Sequence, residues 1–512
     1  MTRSLALKHS TQTPAPLAHR GRGFKETGIS ITTLLQPMLI DGHWLHDTSA
    51  TLISVNPATG AVNHEVAAAT AAHVDQAVDA ASRAASSASW RALLPHQRAA
   101  ILHRIGTSMT EHAERFARMQ MIENGKVWSE CSAQAKSAAG IFHYYAGVCE
   151  TSSSEMTPAR GDYLSMTVYE PYGVVAAITP WNSPLTMEAQ KVAPALAAGN
   201  AVILKPSEIT PSPALELGRV ALEAGLPPGV LNILPGTGAQ TGTALVQHPG
   251  VRMVSFTGGT ASGKSIAAVA AAKLMPVALE LGGKSPHIVF ADADLESAVA
   301  QVASGIFEGS GQSCVAGSRL FVQRPVYDRV VDRLLDIARS LRVDVPDAHG
   351  AQMGPIASFA HRARIEEMVE AARAGGADVL FGGARPPDDR LAKGAFYLPT
   401  LVAGIDNRMP IAQQEIFGPV LCVLPFDDEE DLIAQANDSV YGLAAGLWTR
   451  DFPRAWRVAR RLDAGTVWIN TYKQLSISTP FGGFKDSGIG REKGASGMRL
   501  YQQAKGIYVG LG

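Results

Sequence analysis

Cysteine is scarce in this chain: its 512 residues hold four, Cys131, Cys149, Cys314 and Cys422, far apart and with no C-x-x-C pair or spaced histidine pair beside them. That argues against a disulfide scaffold and a structural zinc site, and fits a reducing cytoplasm. An excess of charge of one sign is missing too, since 45 basic and 46 acidic residues give a formal net charge of -1. Nothing therefore marks a surface for nucleic acid or an anionic membrane. No run of about 20 uncharged apolar residues exists. The longest candidate, SIAAVAAAKLMPVALEL, is interrupted by Lys273 and Pro276 and reads as a helix followed by a buried strand. Internal repeats are absent, as are low-complexity tracts beyond alanine-rich helices. These absences leave a soluble, cytoplasmic protein with no metal centre, whose partners are a small molecule and further copies of itself.

The length implies two or three domains, and a hydrophobic content of 46% supplies apolar surface for their cores. Residues 1–37 carry Arg3, Lys8, Arg20, Arg22 and Lys25 against the single acid Glu26, and read as a disordered extension in preference to a transit peptide. Regular patterning begins at MLIDGHW with Met38. From about 73 to 150 apolar residues recur at three and four spacing, which predicts helices. The β-branched runs GVVAAIT, NAVILKP, VLNILPG, VRMVSFTG and PVALELGG then alternate with helical stretches, predicting parallel strands with crossover helices. A second alternating series, from about 283, predicts another α/β domain. DYLSMTVYEPYG, near 162–173, alternates like a hairpin, and QQAKGIYVGLG ends the chain as a strand that needs a pairing partner.

Several short patterns carry chemistry. FTGGTASGKS contains a full phosphate-loop match, Gly258 through Lys264 and Ser265, and IVFAD downstream reads as a strand ending in an acid, so an ATPase is one reading. Cys314 lies in EGSGQSCVAGSR, among glycines that let backbone N–H groups approach a ligand; the plainer reading is a small buried hydrophobe. Glu280 ends the strand PVALE before two glycines, where a carboxylate is placed for general-base work. Asn182, in ITPWNSPL, is a turn residue or an amide donor to an oxyanion.

PWNSP, KPSE, FTGGT, ELGGKSP, GQSCVAGSR, EIFGPV and PFGGFKDSGIGRE occur in the order and about the spacing of the NAD(P)-dependent aldehyde dehydrogenase superfamily, which the chain resembles from about Met38 to its end. The resemblance implies an α/β fold with a Rossmann-type cofactor domain (38–155 and 174–282), an α/β catalytic domain (283–483) and a small β oligomerisation element (156–173 and 484–512). It implies oxidation of an aldehyde to the acid with NAD, in a homodimer or homotetramer. Cys314 looks like the nucleophile that forms a thiohemiacetal and then a thioester. Asn182, with the Cys314 N–H, looks like the oxyanion donor, and Glu280 like the base that activates the hydrolytic water. Lys191 and Glu492 match polar positions around the proton-release path.

The cofactor residues implied by the resemblance are Ile178, Thr179, Trp181, Lys205, Ser207, Glu208, Gly238, Phe256, Gly258, Gly259, Leu281, Glu415 and Phe417. Lys205 and Glu208 match the adenosine-ribose ligands; a carboxylate there accepts from a 2'-hydroxyl and repels a 2'-phosphate, which favours NAD and leaves NADP possible. Under this reading Gly258, Gly259 and the following helix meet the cofactor pyrophosphate, and Lys264 and Ser265 fall inside the helix. Three positions depart from the commoner pattern: Gly259 for a serine, Ser183 for a larger aromatic residue, and Gln414 for an acid. Lys473, in NTYKQLSIST before PFGG, is a candidate anchor for a carboxylate-bearing semialdehyde. A papain-type hydrolase needs a histidine near Cys314, for which His287 and His361 are the available residues.

Overall fold

The computed structural model describes residues 35–47 and 49–512. Its larger sheet has eight strands. Five buried, parallel strands form the centre, in the order Leu231–Ile233, Ala201–Lys205, Val174–Ile178, Met253–Thr257 and Val277–Glu280. Every residue of Val174–Ile178 and of Ala201–Lys205 is buried, because helices cover both faces. That is why these segments read as continuous apolar runs and do not alternate. The edges differ from an all-parallel expectation. Met38–Ile40 and His43–Leu45 add antiparallel on one side and Gly488–Ile489 on the other.

Three consecutive strands step outward from Val174–Ile178, and the chain then returns to lay Met253–Thr257 on its other side. The carboxyl ends of these two neighbours flank a reversal of strand order, the place where open α/β sheets bind ligands. The second sheet, seven strands in the order Asp378–Phe381, Thr400–Ala403, Val420–Phe426, Arg319–Gln323, Pro286–Val289, Ala444–Trp448 and Thr466–Ile469, is parallel except at its first pair. Each sheet is sandwiched between its own buried apolar clusters.

Several boundaries differ from the sequence reading. Gln36 already belongs to the fold, bridging Val66 with its N–H on the Glu65 carbonyl at 2.8 Å; residues 1–34 of the expected extension lie outside the described residues. Tyr163–Pro171 is one nine-residue strand, and its hairpin partner is Glu155–Thr157 just before it. Only Gln502–Gly510 of the expected 484–512 segment joins this three-stranded sheet. Before that, Phe484–Lys485 pairs with Tyr441–Gly442 and Gly488–Ile489 completes the large sheet, so this stretch ties the two α/β units together. Among the described residues no helix is long and apolar enough to cross a membrane.

Candidate active site

A cavity of about 980 Å³ lies between the two large sheets, and Cys314, Glu280 and Asn182 all line it. Cys314 is delivered by an unusual loop. Gly309, Ser310 and Gly311 all take left-handed conformations after the helix Leu295–Phe307. Gly311 is required there, since a Cβ would come within 2.1 Å of the Gly418 carbonyl. The turn leaves Gln312 buried, with its side-chain oxygen accepting from Ala357 N and its amide donating to Gly309 O. Its backbone carbonyl accepts from Asn182 Nδ2 at 2.9 Å. Gln312, which the sequence reading missed, thus orients the Asn182 amide two residues before Cys314; a backbone acceptor leaves no trace in residue type.

The paired glycines after Glu280 have a steric explanation. A Cβ on Gly282 would sit 2.4 Å from a Glu415 carboxylate oxygen, and one on Gly283 would sit 2.5 Å from the Cys314 carbonyl. The chain between the sheets can therefore pass this close only as Gly-Gly. Gly283 N in turn donates to Glu415 at 2.9 Å. Burial pushes the Glu415 carboxyl up to about 7, against the pull of that N–H and of Lys284.

Burial also pushes the Cys314 thiol up to about 12, reinforced by the carboxyls of Glu280 and Glu415, while Lys493 and the Val315 N–H pull it down. Glu280 is held well above the usual carboxylate range by burial first and by the Glu492 charge second, and its Oε2 has no hydrogen-bond partner. Glu492 is itself anchored: Lys191 Nζ donates at 2.6 Å, Gln190 Nε2 at 2.5 Å and Ser255 Oγ at 3.3 Å. Lys191 and Glu492 are both almost fully buried, and their opposite charges act on Glu280 in opposite directions, Glu492 raising its affinity for a proton and Lys191 lowering it.

At the other end of the cavity Trp181 meets Phe417 edge-on at 5.4 Å, and His361 packs on both. Phe417 sits at positive φ, with its carbonyl bonded by His361 Nε2 at 2.8 Å. Gly258, Gly259 and Leu281 line the same cavity. A Cβ on Gly259 would meet nothing within 4 Å, so the start of the helix Thr260–Ala272 opens onto free space. Ile178, Thr179 and Phe256 lie buried at or just beyond the ends of the flanking strands, and the Thr179 hydroxyl has no partner.

Lys205, Ser207, Glu208 and Gly238 are not brought to this cavity. Lys205 and Ser207 are buried beyond its wall, and Glu208 is half exposed with its carboxylate 3.8 Å from Lys205 Nζ. Gly238 begins the short helix Gly238–Gly242, with open space around it.

Lys264 lies in its helix, paired at 2.6 Å with Asp486 on the surface, and Asp292 of IVFAD is used by Thr449, Arg450 and Arg454 in the other sheet. Lys264 is thus engaged by a surface carboxylate, and the acid expected to hold magnesium, Asp292, is engaged elsewhere. His287 is sealed in the core, stacked on Tyr472 and accepting from Trp448 Nε1 at 2.9 Å; burial drops it to about 3. Neither it nor His361 bonds Cys314, which removes the papain-type reading. Lys473 is not among the residues lining the cavity; its Nζ is 3.4 Å from the Ser304 carbonyl, and the charges acting on it include Glu308, Glu130 and Cys314. Ser183, which departs from the commoner aromatic residue, lines the cavity with its hydroxyl accepting from Lys126 at 3.2 Å and from Gln134 at 3.3 Å.

Comparisons with known proteins agree with this geometry. Residues 44–507 match the sequence profile of the aldehyde dehydrogenase family. The DhaS protein of Bacillus subtilis (strain 168), assigned by name to the aldehyde dehydrogenases, is 40% identical over 476 residues, 93% of this chain and 95% of that one. Betaine aldehyde dehydrogenase from Staphylococcus aureus, solved in complex with NAD+, superposes with a TM-score of 0.92 at 39% identity, covering 93% of this chain and 95% of that one. An aldehyde dehydrogenase from Bacillus cereus gives 0.92 at 38% identity over 96% and 99% of the two chains. The chain belongs to the aldehyde dehydrogenase family, enzymes that oxidise aldehydes.

Proposed function

We propose that this protein oxidises an aldehyde to its carboxylic acid with NAD, through covalent intermediates on Cys314. The observation that carries the reading is the convergence of Cys314, Glu280 and Asn182 on one cavity whose far end is lined by Trp181, Phe417 and an open glycine turn. The residues present suit a dinucleotide. Among the described residues Glu415 keeps one carboxylate oxygen without a protein donor for a ribose hydroxyl, and Gly259, where a Cβ would meet nothing within 4 Å, leaves room beside a helix start for a pyrophosphate. Glu208 beside Lys205 suits an adenosine ribose with a free 2'-hydroxyl.

In the reaction the Cys314 thiolate adds to the aldehyde carbon, and the oxygen that gains the charge is held by the Asn182 amide and the Cys314 N–H. NAD bound in the cleft supplies the hydride acceptor that leaves a thioester on Cys314. Glu280 takes a proton from water as that water attacks the thioester carbonyl, and the C–S bond breaks to return the thiolate. Burial and the Glu492 charge raise the affinity of Glu280 for a proton, the direction that makes it a stronger base. Glu492, held in place by Lys191, adds to the effect of burial on Glu280, while Lys191 itself opposes it.

Two variants test the scheme. Cys314→Ala abolishes NADH production from every aldehyde. Glu280→Gln, which keeps the shape but cannot take the proton, gives one burst of NADH per site and then stalls; a normal steady-state rate in this variant would refute the role given to Glu280.

A further inference from the structure

The wall of the cavity opposite the dinucleotide cleft is built from the helices Trp128–Thr151 and Pro184–Ala197, the loop around Leu475 and Ile477, and Phe481 with Lys493. Lys493 is the single charged side chain on that wall apart from the carboxyl of Glu280; the other charged lining residues, Arg364 and Glu415, lie on the dinucleotide side with His361 and Phe417. Only 8% of Lys493 is exposed. Among the described residues its ammonium has no carboxylate partner and no hydrogen-bond acceptor, and its contact is the face of Phe481, 4.9 Å from the ring centre. A buried, unpaired ammonium is expensive, and proteins keep one where an anion comes to meet it.

The backbone points the same way. Lys493 adopts φ 60 and ψ 176, a region that glycine alone occupies freely, in the turn leading into the helix Gly494–Arg499. Its neighbour Glu492 is clamped by Lys191 and Gln190, so the strained residue cannot relax by shifting the chain. The strain holds a lysine side chain against the cavity at a position where glycine would be free of it.

We propose that Lys493 is the anchor for a carboxylate carried by the aldehyde, so that the enzyme prefers short oxo acids to neutral or cationic aldehydes; this rests on the aldehyde oxidation proposed above. One ammonium matches a singly charged group, and no guanidinium fork stands beside it for a phosphate. A quaternary ammonium is disfavoured twice. It meets a like charge, and the one aromatic face on this wall, Phe481, already carries the Lys493 ammonium. Lys493, Cys314 and Glu280 line the same cavity, so a carboxylate held by Lys493 and the carbonyl that meets Cys314 share one confined space.

The test compares kcat/KM with NAD for succinic semialdehyde, for butanal as its neutral analogue, and for betaine aldehyde, in the wild type, Lys493→Met and Lys493→Arg. The wild type is expected to prefer succinic semialdehyde to butanal by roughly tenfold or more, and Lys493→Met to erase that ratio, chiefly through KM, with Lys493→Arg restoring part of it. Protection of Cys314 from iodoacetamide by succinate gives a second reading without turnover, expected in the wild type and lost in Lys493→Met. A wild type that favours butanal or betaine aldehyde overturns the proposal, and so does a Lys493→Met variant that slows all three aldehydes equally. Absence of NADH from every aldehyde would instead strike the oxidation itself.

Discussion

Burial and the carboxyls of Glu280 and Glu415 keep the Cys314 thiol protonated near neutral pH, and the reactive form is the thiolate. Alkylation of Cys314 by iodoacetamide is therefore expected to accelerate as pH rises well beyond the ordinary thiol range. Glu280→Gln removes the second-largest cause of the upward push, so its alkylation profile moves to lower pH; an unmoved profile means the two side chains do not sense each other. Glu415 titrates near 7 by burial. Its carboxylate, the form that accepts from a ribose hydroxyl in the proposed reading, grows in as pH rises, so NAD is expected to bind more tightly at pH 8 than at pH 6. In Glu415→Gln that dependence flattens, and calorimetry at the two pH values checks it. Cys314, Glu280 and Asn182, each open to a plainer reading by itself and given a role by the family resemblance, line one cavity. Gln312 was not legible in the sequence, since it acts on Asn182 through a carbonyl every residue possesses. Lys473 takes a positive φ and its Nζ lies 3.4 Å from the Ser304 carbonyl, features that sequence spacing does not carry.

The element that bridges sequence motif and site is the helix Thr260–Ala272. Glycine inside a helix ordinarily costs about 0.5–1 kcal/mol relative to alanine. Gly263 is tolerated because a Cβ there would stand 2.3 Å from a Leu281 methyl, so the missing side chain lets the helix lie down on the strand that carries Glu280. Gly263→Leu is expected to destabilise the fold by about 1–3 kcal/mol and, by lifting the helix start away from Gly258 and Gly259, to weaken NAD binding as well. Thermal melts with and without NAD separate the two effects. This glycine is the first of the G-K-S triplet that completes the phosphate-loop match. Packing explains it, and the glycines that face the cleft are the two before it. The parallel strands of both sheets were readable as apolar runs. Their antiparallel edges were not: Gly488–Ile489 is two residues long and takes its strand conformation from pairing with Leu279 and Glu280.

For the molecule as a whole, the three-stranded sheet stands out. Gln502–Gly510 pairs along its full length with Tyr163–Pro171 but is an edge strand, and Tyr508, Val509 and Leu511 are 72%, 45% and 59% exposed. An apolar edge of this kind invites pairing with another chain. We propose that it is where copies of this protein associate; removing residues 503–512 is expected to leave a smaller species in sedimentation velocity, and an unchanged sedimentation coefficient would discard the idea. The site, by contrast, is assembled within one chain from segments very distant in sequence. The Lys191–Glu492 pair joins residues 301 positions apart. On a ribosome adding about 5–20 residues per second, Lys191 emerges many seconds before the carboxylate that neutralises it. Until then Lys191 lacks the carboxylate that balances its charge, so burying it as an ammonium is costly before the last part of the chain is made.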